Sequence, residues 1–479
     1  MKRLHLHDTL SRDRCEIFPE DGEKFRFYCC GPTVYGPAHI GNFRAFLVQD
    51  LFRRVIELSG IKTLHVRNIT DVDDKTIREA QKSELSLIEF TAGWTERFHQ
   101  DAKQLNMLDP HLEPSAVQHI PEQVQLIERL IENGNAYPSG DGSVYFSVKS
   151  YSNYGKLTRI DQRDLMAGAG ETANDADEYE KDNVCDFVLW KARKPEDGDN
   201  YWDSPWGSGR PGWHLECSAM GMKYLGETFD LHAGGVDLCF PHHENEIAQS
   251  EASTGKQFAR HWFHNEHLMV DGSKMSKSLG NLYTLTDIHD RGFSAAELRY
   301  SLLSGSYRTK INFSFDRMNE ARINLKRIAS LVQNLGAGLP SYEELCDCGS
   351  SEDMNLGPFE SSWEALLEDL NAPAALGELF VAIKPLEKEL AEGNVPEDTK
   401  KAALHGLAFL VHAFGWVLPE IESEQLALDV PDHVKDLAEK RWIAKKEKDW
   451  AESDRLRDAV ISEGWVIKDS KDGYELEPS

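Results

Sequence analysis

The stretch that decides the fold is Tyr28-Cys-Cys-Gly-Pro-Thr-Val-Tyr-Gly-Pro-Ala-His-Ile-Gly-Asn-Phe-Arg44, which joins a strand to a helix. Residues 25–29 are rich in aromatic side chains, and this composition predicts a short strand. From Asn42 onwards apolar side chains recur at helical spacings of three and four, at Phe43, Phe46, Leu47, Leu51 and Val55. Glycines and prolines between residues 31 and 37 break regular structure. The free N–H groups of such a helix start make an anion site, although an ordinary strand–loop–helix unit with a buried cysteine pair fits equally well.

Length and composition indicate a large folded protein. The chain has 479 residues, which suggests about three domains. No apolar run approaches the roughly 18 residues of a membrane span, and the N-terminus lacks the apolar segment of a signal peptide. We therefore expect no membrane partner and a cytoplasmic location. In that reducing compartment we expect the eight cysteines to form no disulfides, and some are candidates for metal binding or catalysis.

The net charge of −28 argues against a general nucleic-acid coat. One segment departs from this balance, because residues 435–457 hold eight basic side chains against six acidic ones. The segment is either a local basic patch or a solvated helix face with alternating charges, and spacing alone favours the second interpretation. Beyond it, the apolar runs at 465–468 and 474–476 predict a closing hairpin around Asp472-Gly473.

The first part of the chain predicts a parallel sheet. Residues 61–69 form a second predicted strand, which ends in the polar run Thr70-Asp-Val-Asp-Asp74. Strand, helix and strand in this order make a βαβ unit, and ligands gather at the carboxyl ends of its strands. Between residues 138 and 211 the pattern changes to hairpin-like segments and an acidic stretch, 167–183, expected to be a mobile surface loop. We interpret this region as an insertion between two halves of one sheet domain.

The later part of the chain predicts a mobile loop and then a helical bundle. The run Gly272-Ser-Lys-Met-Ser-Lys-Ser-Leu-Gly-Asn281 has the small, polar composition of a loop that carries ammonium groups to an anion. From residue 316 onwards helical spacings return, with Gly336 as a stop signal. Further helical patterns at 359–370, 373–390 and 398–416 complete the predicted bundle.

Four side chains from distant parts of the chain fit a zinc site. Cys30 ends the first strand and Cys217 lies in a second region dense in special residues, 212–246. His242 and Glu246 lie four residues apart, on one face of a predicted helix. Two thiolates, an imidazole and a carboxylate are groups that zinc accepts as ligands. The spacing is dispersed, however, and taken singly each cysteine is better explained as a buried core residue.

Two pairs of side chains are candidates for phosphate binding. His39 and Asn42 lie at the start of the first predicted helix, where they can donate hydrogen bonds beside the helix dipole. Lys274 and Lys277 in the predicted loop can reach the same phosphates. The sequence contains no Gly-x-x-x-x-Gly-Lys-Ser/Thr motif, so the expected chemistry is not that of a P-loop.

The motifs His39-Ile-Gly-Asn42 and Lys274-Met-Ser-Lys-Ser278 resemble the two signature motifs of class I aminoacyl-tRNA synthetases. Together, in this order and around a split sheet, they are far more specific than either motif alone. Three segments narrow the resemblance to the cysteinyl-tRNA synthetase family: Cys-Gly-Pro-Thr-Val-Tyr, Gly-Trp-His-x-Glu-Cys-Ser-Ala-Met and Phe-Pro-His-His-Glu-Asn-Glu. The resemblance spans nearly the whole chain and is densest in residues 27–75 and 210–282.

The resemblance implies a role for each matching residue. The zinc ligands fall on Cys30, Cys217, His242 and Glu246. The residues around the substrate amino acid fall on Thr70, Trp213 and His232. The ATP-binding residues fall on His39, Gly41, Asn42, Gly235, Asp237, Lys274 and Lys277, and the catalytic ones among them are His39, Asn42, Lys274 and Lys277.

Two details of the match bear on the site. The match selects Cys30 over Cys29 as a ligand, because the family's ligand directly precedes Gly-Pro-Thr. This chain has His232-Ala-Gly-Gly where the family pattern has His-Gly-Gly-Gly. We therefore expect Ala233 to alter the approach of the backbone near the substrate or the adenosine.

The implied fold is a Rossmann-like α/β catalytic domain with a parallel sheet, split by an insertion and followed by an α-helical bundle and a small C-terminal anticodon-binding unit. The expected bounds are 1–115 and 211–270 for the two catalytic halves, 116–210 for the insertion, 271–318 for the signature loop and stem-contact region, 319–425 for the bundle and 426–479 for the C-terminal unit. The implied partners are tRNA(Cys), L-cysteine, ATP with Mg²⁺ and one zinc ion per chain, in a monomer.

The implied reaction joins cysteine to tRNA in two steps. The cysteine carboxylate attacks the α-phosphorus of ATP, and a terminal ribose hydroxyl of the tRNA then attacks the carbonyl of the adenylate. Apolar contacts separate cysteine from serine by only about 10²-fold, whereas zinc binds a soft thiolate far better than an alcohol. A separate editing domain is therefore not expected.

Two other functions fit parts of the same pattern. A related ligase that joins cysteine to an aminosugar shares the zinc site and both ATP motifs, but should lack an anticodon-reading C-terminus. A catalytically inert RNA- or zinc-binding homologue would not need intact His39, Lys274 and Lys277. Because this chain continues past the bundle into the basic segment and keeps these residues, the tRNA ligase is favoured.

Overall fold

The computed structural model describes residues 3–160, 186–275, 280–336, 338–348, 355–421, 432–447, 449–463, 465–469 and 473–478. The acidic stretch 167–183 and Lys277 lie outside these residues, so the prediction of a mobile loop at 167–183 stays a prediction. The chain forms two compact units, Met1–Pro419 and Glu420–Ser479.

The elements of the first unit alternate between short strands and longer helices. Its described strands are β1 (His5–His7), β2 (Arg14–Glu16), β3 (Phe25–Cys29), β4 (Thr63–Arg67), β5 (Ala136–Pro138), β6 (Val144–Phe146), β7 (Phe187–Ala192), β8 (Gly209–Pro211), β9 (Phe229–Gly235), β10 (Ala259–Asn265), β11 (Leu268–Val270), β12 (Ser273–Lys274) and β13 (Ile311–Phe313). Its described helices are α1 (Ile40–Leu58), α2 (Asp74–Lys82), α3 (Leu87–Gln104), α4 (Ile120–Glu132), α5 (Trp213–Leu225), α6 (His242–Thr254), α7 (Leu285–Asp290), α8 (Ala295–Leu303), α9 (Phe315–Leu335), α10 (Tyr342–Cys348), α11 (Glu360–Leu367), α12 (Ala372–Ala391) and α13 (Glu397–Phe414).

The central sheet of this unit has the strand order β10-β9-β3-β4, and all its strand pairs are parallel. Strand β3 covers the predicted residues and lies between β4 from the first half of the chain and β9 from the second half. Its side chains are largely buried, as in a parallel sheet covered on both faces. The predicted α/β sheet, divided in sequence but continuous in space, is confirmed, and the carboxyl ends of β4, β3 and β9 lie side by side.

Helix α1 begins at Ile40, two residues before the predicted start, because His39 caps it. The His39 side chain accepts a hydrogen bond from the Asn42 N–H at 3.2 Å, and the Asn42 side chain accepts one from the His39 N–H at 3.0 Å. These reciprocal bonds satisfy N–H groups that a helix start otherwise leaves free. The cap therefore orders the very residues that the sequence assigned to phosphate binding.

A buried cluster of charges joins α1 to the helices packed against it. Asp50 accepts a hydrogen bond from Arg54 at 2.8 Å and forms an ion pair with Arg299 of α8. Arg299 also donates to the carbonyl oxygens of Leu105, at 2.9 Å, and Phe414. Burial raises the pKa of Asp50, but the two arginines outweigh it and hold that pKa well below its usual range. Helix α1 is thus buried on more than the apolar face that the sequence pattern indicated, because its charges are paired.

The insertion forms an antiparallel sheet of its own with the strand order β5-β6-β7-β8. Phe146, Phe187 and Trp190 from its strands share an apolar cluster with Leu215 of α5 and Ala248 of α6. The insertion is therefore packed directly against the two helices that follow it in the second half of the catalytic region.

The helices after the sheet share an apolar core with it. Leu325, Trp363 and Phe409 from α9, α11 and α13 belong to the same cluster of buried side chains as Leu47 of α1. Helix α9 ends before Gly336, whose φ of +84° is a conformation that glycine adopts readily at helix ends. The predicted helical region and its stop signal at Gly336 are confirmed.

The second unit is small. Its described elements are the helices α14 (Asp432–Lys446) and α15 (Trp450–Ser462) and the antiparallel strands β14 (Trp465–Asp469) and β15 (Tyr474–Pro478). Val434, Val460 and Trp465 form its core. The predicted closing hairpin is confirmed.

The basic run of the second unit is not one uniform face. Arg441 is buried, with 1% of its surface exposed. Lys445 and Lys446 instead lie over the ring of Trp442, with Nζ 5.5 and 5.1 Å from its centroid. Across the described parts of the chain, no helix has both the length and the apolar character needed to cross a membrane.

Candidate active site

The four predicted zinc ligands lie together beside the carboxyl ends of the central strands. Cys30 directly follows β3, and Cys217 is on helix α5. His242 and Glu246 are one turn apart on helix α6. All four are buried, since none of them exposes more than 7% of its surface. The fold therefore brings together donors that are more than two hundred residues apart in the chain.

The distances between these donors suit one tetrahedral metal ion. The sulfur atoms of Cys30 and Cys217 are 4.0 Å apart, and Cys30 Sγ is 4.0 Å from Glu246 Oε1. His242 Nε2 is 3.0 Å from the same oxygen. Zinc bonds of about 2.0–2.3 Å give tetrahedral edges of about 3.3–3.8 Å. The donor types fit zinc, and these three separations each lie within about 0.3 Å of that range.

His243 is a fifth donor that the sequence did not predict. Its Nε2 lies 3.3 Å from Cys30 Sγ. The ligand atoms of Cys30, His242, His243 and Glu246 all lie within 4.8 Å of one another, and this group does not include Cys217. The adjacent histidines His242 and His243 were the signal in the sequence that a second imidazole could lie near the donors. The sequence pattern placed only His242 and Glu246 on one helix face, and neighbouring residues on a helix point about 100° apart.

Outer hydrogen bonds hold the donors in place. His242 Nδ1 lies 2.9 Å from His214 Nδ1, and Glu246 Oε2 lies 2.7 Å from His232 Nε2. Partners of this kind commonly orient metal ligands in proteins. Trp213 stacks on His242, with ring centroids 4.2 Å apart. Of the residues predicted around the substrate, His232 and Trp213 thus contact the donor set directly.

The electrostatics of the cluster favour the anionic forms of Cys217 and Glu246, whereas burial raises the pKa of Cys30 well above its usual range. Burial raises the pKa of Cys217, but its hydrogen bond with Cys30 and the neighbouring His242 bring that pKa down to about 6. Burial also raises the pKa of Glu246, but His232 and His242 lower it to about 2. A thiolate and a carboxylate are the forms of these side chains that bind a metal.

Cys29, the neighbour of Cys30, belongs to the other side of the sheet. Adjacent strand residues point to opposite faces, and Cys29 lies in the apolar cluster that includes Leu47, whereas Cys30 lies in a different one. Burial raises the pKa of the Cys29 thiol well above its usual range. Ala233 belongs to the same cluster as Cys29, so its methyl group packs into the core. Its carbonyl oxygen accepts a hydrogen bond from the Cys30 N–H at 3.2 Å.

Thr70 lies beside a buried carboxyl group that sequence reasoning missed. Thr70 Oγ1 donates to Glu216 Oε2 at 3.2 Å and accepts from Asn68 Nδ2 at 3.0 Å. Glu216 is completely buried and directly precedes Cys217. Burial raises its pKa well above the usual range of a glutamate. The signal in the sequence was an acidic residue inside the Gly-Trp-His-x-Glu-Cys-Ser motif.

Three of the predicted phosphate-binding residues, His39, Gly41 and Asn42, lie at the start of α1. A Cβ atom placed on Gly41 would lie 3.0 Å from both His39 Nδ1 and Met275 Sδ, so only glycine fits there without displacing a neighbour. The Ile40 N–H donates to the Tyr283 carbonyl oxygen at 2.8 Å. Met275 belongs to the second signature motif and Tyr283 follows it, so the structure brings this part of the chain next to the first motif.

The remaining predicted ATP residues are described only in part. Lys274 pairs through its backbone with Met269 in the β11–β12 hairpin, and Lys277 lies outside the described residues. Gly235 ends β9, and a Cβ atom there would lie 2.4 Å from Asp237 Oδ1, so the exposed Asp237 folds back over the strand end. These two residues therefore lie at the carboxyl end of the strand next to β3.

Comparisons with known proteins identify the family. Residues 17–323 match the family model for the catalytic domain of tRNA synthetases class I (C). Cysteine–tRNA ligase from Opitutus terrae is 50% identical to this chain over 99% of both proteins, and that from Chlamydia caviae is 43% identical over 99% of this chain and 98% of the relative. The chain belongs to the cysteine–tRNA ligase family.

The solved structures agree with this family at the level of the fold. Methionyl-tRNA synthetase from Mycobacterium tuberculosis, in complex with methionyl-adenylate, superposes with a TM-score of 0.56 over 82% of this chain and 90% of that chain. At 12% sequence identity the likeness concerns the fold alone. The resemblance to cysteinyl-tRNA synthetases drawn from the motifs is confirmed, and so is the class I fold. The roles of the individual residues within this family site stay predictions.

Proposed function

We propose that this chain ligates L-cysteine to tRNA(Cys) with ATP. The observation that carries the proposal is a buried set of thiol, imidazole and carboxylate donors beside the capped start of helix α1. The donor set suits a substrate with a thiol, and the helix start suits phosphates. Identity of 50% with a cysteine–tRNA ligase over the full length of both chains supports the same reaction.

We assign Cys30, Cys217, His242 and Glu246 as the zinc ligands. When bound, zinc supplies a Lewis acid that accepts the substrate thiolate in preference to a serine hydroxyl. Around it, His214 and His232 orient His242 and Glu246, and Trp213 covers the His242 ring. Because these side chains are buried and bonded to one another, they can hold the substrate side chain in one position.

In the first step the cysteine carboxylate attacks the α-phosphorus of ATP, giving cysteinyl-adenylate and pyrophosphate. This step needs no nucleophile from the protein, so the protein contributes positioning and charge stabilisation. His39 and Asn42 at the start of α1, with Lys274 and Lys277, are assigned to the phosphates. Gly41, Gly235 and Asp237 complete the proposed ATP site, and Mg²⁺ enters with the nucleotide.

In the second step a terminal ribose hydroxyl of the tRNA attacks the carbonyl of the adenylate. We assign the small second unit to the anticodon, because Lys445, Lys446 and Trp442 combine positive charge with an aromatic face. The bounds predicted from the sequence for the insertion, 116–210, and for the helical region, 319–425, stay part of this proposal. The proposed enzyme acts as a monomer in the cytoplasm, where its thiols stay reduced.

The test is a charging assay with the zinc-loaded full-length chain, ATP and tRNA(Cys). We expect cysteine to be attached to tRNA(Cys), and serine to be attached about 10⁴-fold less efficiently because it cannot replace the thiolate. A tRNA for serine provides the matched nucleic-acid control. Cysteine-dependent pyrophosphate exchange without tRNA charging, together with transfer to an aminosugar, would contradict the proposal.

A further inference from the structure

Glu216 is a buried carboxyl group that the proposed reaction has not used. It lies in the first turn of α5, between Trp213 and Cys217, and none of its surface is exposed. Its Oε2 accepts a hydrogen bond from Thr70, whereas its Oε1 is buried without a partner among the described residues. Burying an oxygen without a hydrogen bond destabilises the fold by more than the interaction of the carboxylate with the helix dipole stabilises it. The free oxygen is therefore suited to a donor that comes with a ligand.

The position of Glu216 limits what that donor is. Asn68 links Thr70, the hydrogen-bond partner of Glu216, to the metal donors. Asn68 Nδ2 donates to Thr70 Oγ1, and Asn68 Oδ1 is 3.8 Å from Cys217 Sγ. Glu216 is thus next to a thiol donor along the helix and is connected to it through two side chains, those of Thr70 and Asn68. In cysteine, two carbon atoms separate the amino nitrogen from the sulfur. A substrate whose sulfur enters the donor set brings its ammonium group to this neighbourhood.

The surroundings of Glu216 also favour a cation. None of the ion pairs in the described part of the chain includes Glu216. The nearby carboxylates have other partners, since Asp71 accepts hydrogen bonds from Ser115 and the Val117 N–H, and Asp73 caps α2. Among the described carboxyl groups beside the thiol donors, Glu216 therefore has an oxygen left for a positively charged ligand.

We infer that Glu216 receives the α-ammonium group of the amino-acid substrate, while Thr70 holds the carboxyl group of Glu216 in place. This inference rests on the proposed function, because it takes the substrate thiol to lie in the donor set. It gives the site a second point of recognition, so that a thiol without an α-amino group binds more weakly than cysteine although its sulfur fits.

The experiment measures binding of two ligands to the zinc-loaded full-length protein by calorimetry. The ligands are L-cysteine and 3-mercaptopropionate, which keeps the thiol and the carboxylate but lacks the amino group. Glu216→Gln should weaken cysteine binding by about 10- to 100-fold, the usual loss for a hydrogen bond to a charged group. Binding of 3-mercaptopropionate should change by less than about threefold, and zinc content should remain one ion per chain.

The matched control is Glu244→Gln. Glu244 is equally buried on α6, but its oxygens accept hydrogen bonds from the Gly155 and Thr158 N–H groups at 2.9 Å. Its replacement should change both dissociation constants by the same factor. If Glu216→Gln does not yield folded protein, Glu216→Asp withdraws the carboxyl group by one methylene and should show the same selective loss.

The outcomes separate this inference from the proposed function. Three results for Glu216→Gln would overturn the role of Glu216 and leave the proposed function standing. They are equally weakened binding of both ligands, unchanged binding of both ligands, and loss of zinc. Failure of the wild-type protein to bind cysteine at all would overturn the proposed function and this inference with it.

Discussion

The two ends of the site are built in opposite ways. At the end assigned to the amino acid, Cys217 and Glu246 are 2% and 0% exposed. The side chains of His214 and His232 contact His242 and Glu246 and orient them. At the end assigned to the nucleotide, Asn42 and Asp237 are exposed, and His39 is partly so. The first end is a closed set of donors, whereas the second is a helix start that faces solvent.

The difference matches the task proposed for each end. Selection between a thiol and a hydroxyl depends on donors that cannot rearrange, and burial with paired hydrogen bonds supplies that rigidity. Binding of ATP, release of pyrophosphate and access for a tRNA end all need an open surface. Changes at the closed end should therefore remove selectivity and metal, while changes at the open end should lower the rate and leave the metal in place.

The largest effect is expected for Cys217→Ala. Removing this thiol should abolish cysteine-dependent ATP–pyrophosphate exchange and lower the zinc content, since the donor set loses its second sulfur. Exchange and metal analysis on the same preparation measure both. Unchanged exchange with zinc still bound would contradict the assignment. His243→Ala is the companion variant, and loss of zinc from it alone would make His243 the ligand in place of Cys217.

The next effect is expected for His39→Ala at the open end. The rate of exchange at saturating cysteine should fall by about 10²–10³-fold, the usual loss when one donor to a charged transition state is removed. Zinc content should not change. Because the variant also loses a helix cap, Ser86→Ala is the control, since Ser86 caps α3 in the same way. A loss of activity in Ser86→Ala equal to that in His39→Ala would show that capping alone explains the effect.

A smaller and more selective effect is expected on removing residues 432–479. Adenylate formation should proceed within about twofold of the full chain, because both ends of the site lie in the first unit. The kcat/KM for charging tRNA should fall by about tenfold or more as basic contacts with the tRNA are lost. Equal charging by the shortened chain would remove the second unit from tRNA recognition and revive the aminosugar ligase.

The smallest effect is expected for Cys29→Ala, which tests the two faces of β3. The free energy of unfolding should fall by about 1–2 kcal/mol as a small cavity opens in the core. Exchange and zinc content should match those of the wild-type protein. Loss of zinc from this variant would mean that Cys29 and Cys30 share the metal, contrary to their separate clusters.

Local sequence patterns predicted the elements well. Strand β3, the helix after it and the stop at Gly336 all follow from short-range rules on composition, spacing and glycine conformation. The burial of Asp50 and Arg299 did not follow from such rules, because a charge becomes tolerable inside a protein only when a distant partner meets it. The burial of Arg441 in the basic run also escaped prediction, because spacing does not show which side of a helix is covered.

The motifs in the sequence by themselves determined the family, and they indicated the four proposed zinc donors and both segments proposed to bind phosphate. Only the tertiary structure showed that Cys30 and Cys217, 187 residues apart, lie 4.0 Å from each other. Only the structure added His243 to the candidate donors and showed that one oxygen of Glu216 has no partner among the described residues. The reason is physical, because motif and spacing describe neighbours along the chain, whereas a donor set and a buried unpaired atom exist only after remote segments pack together.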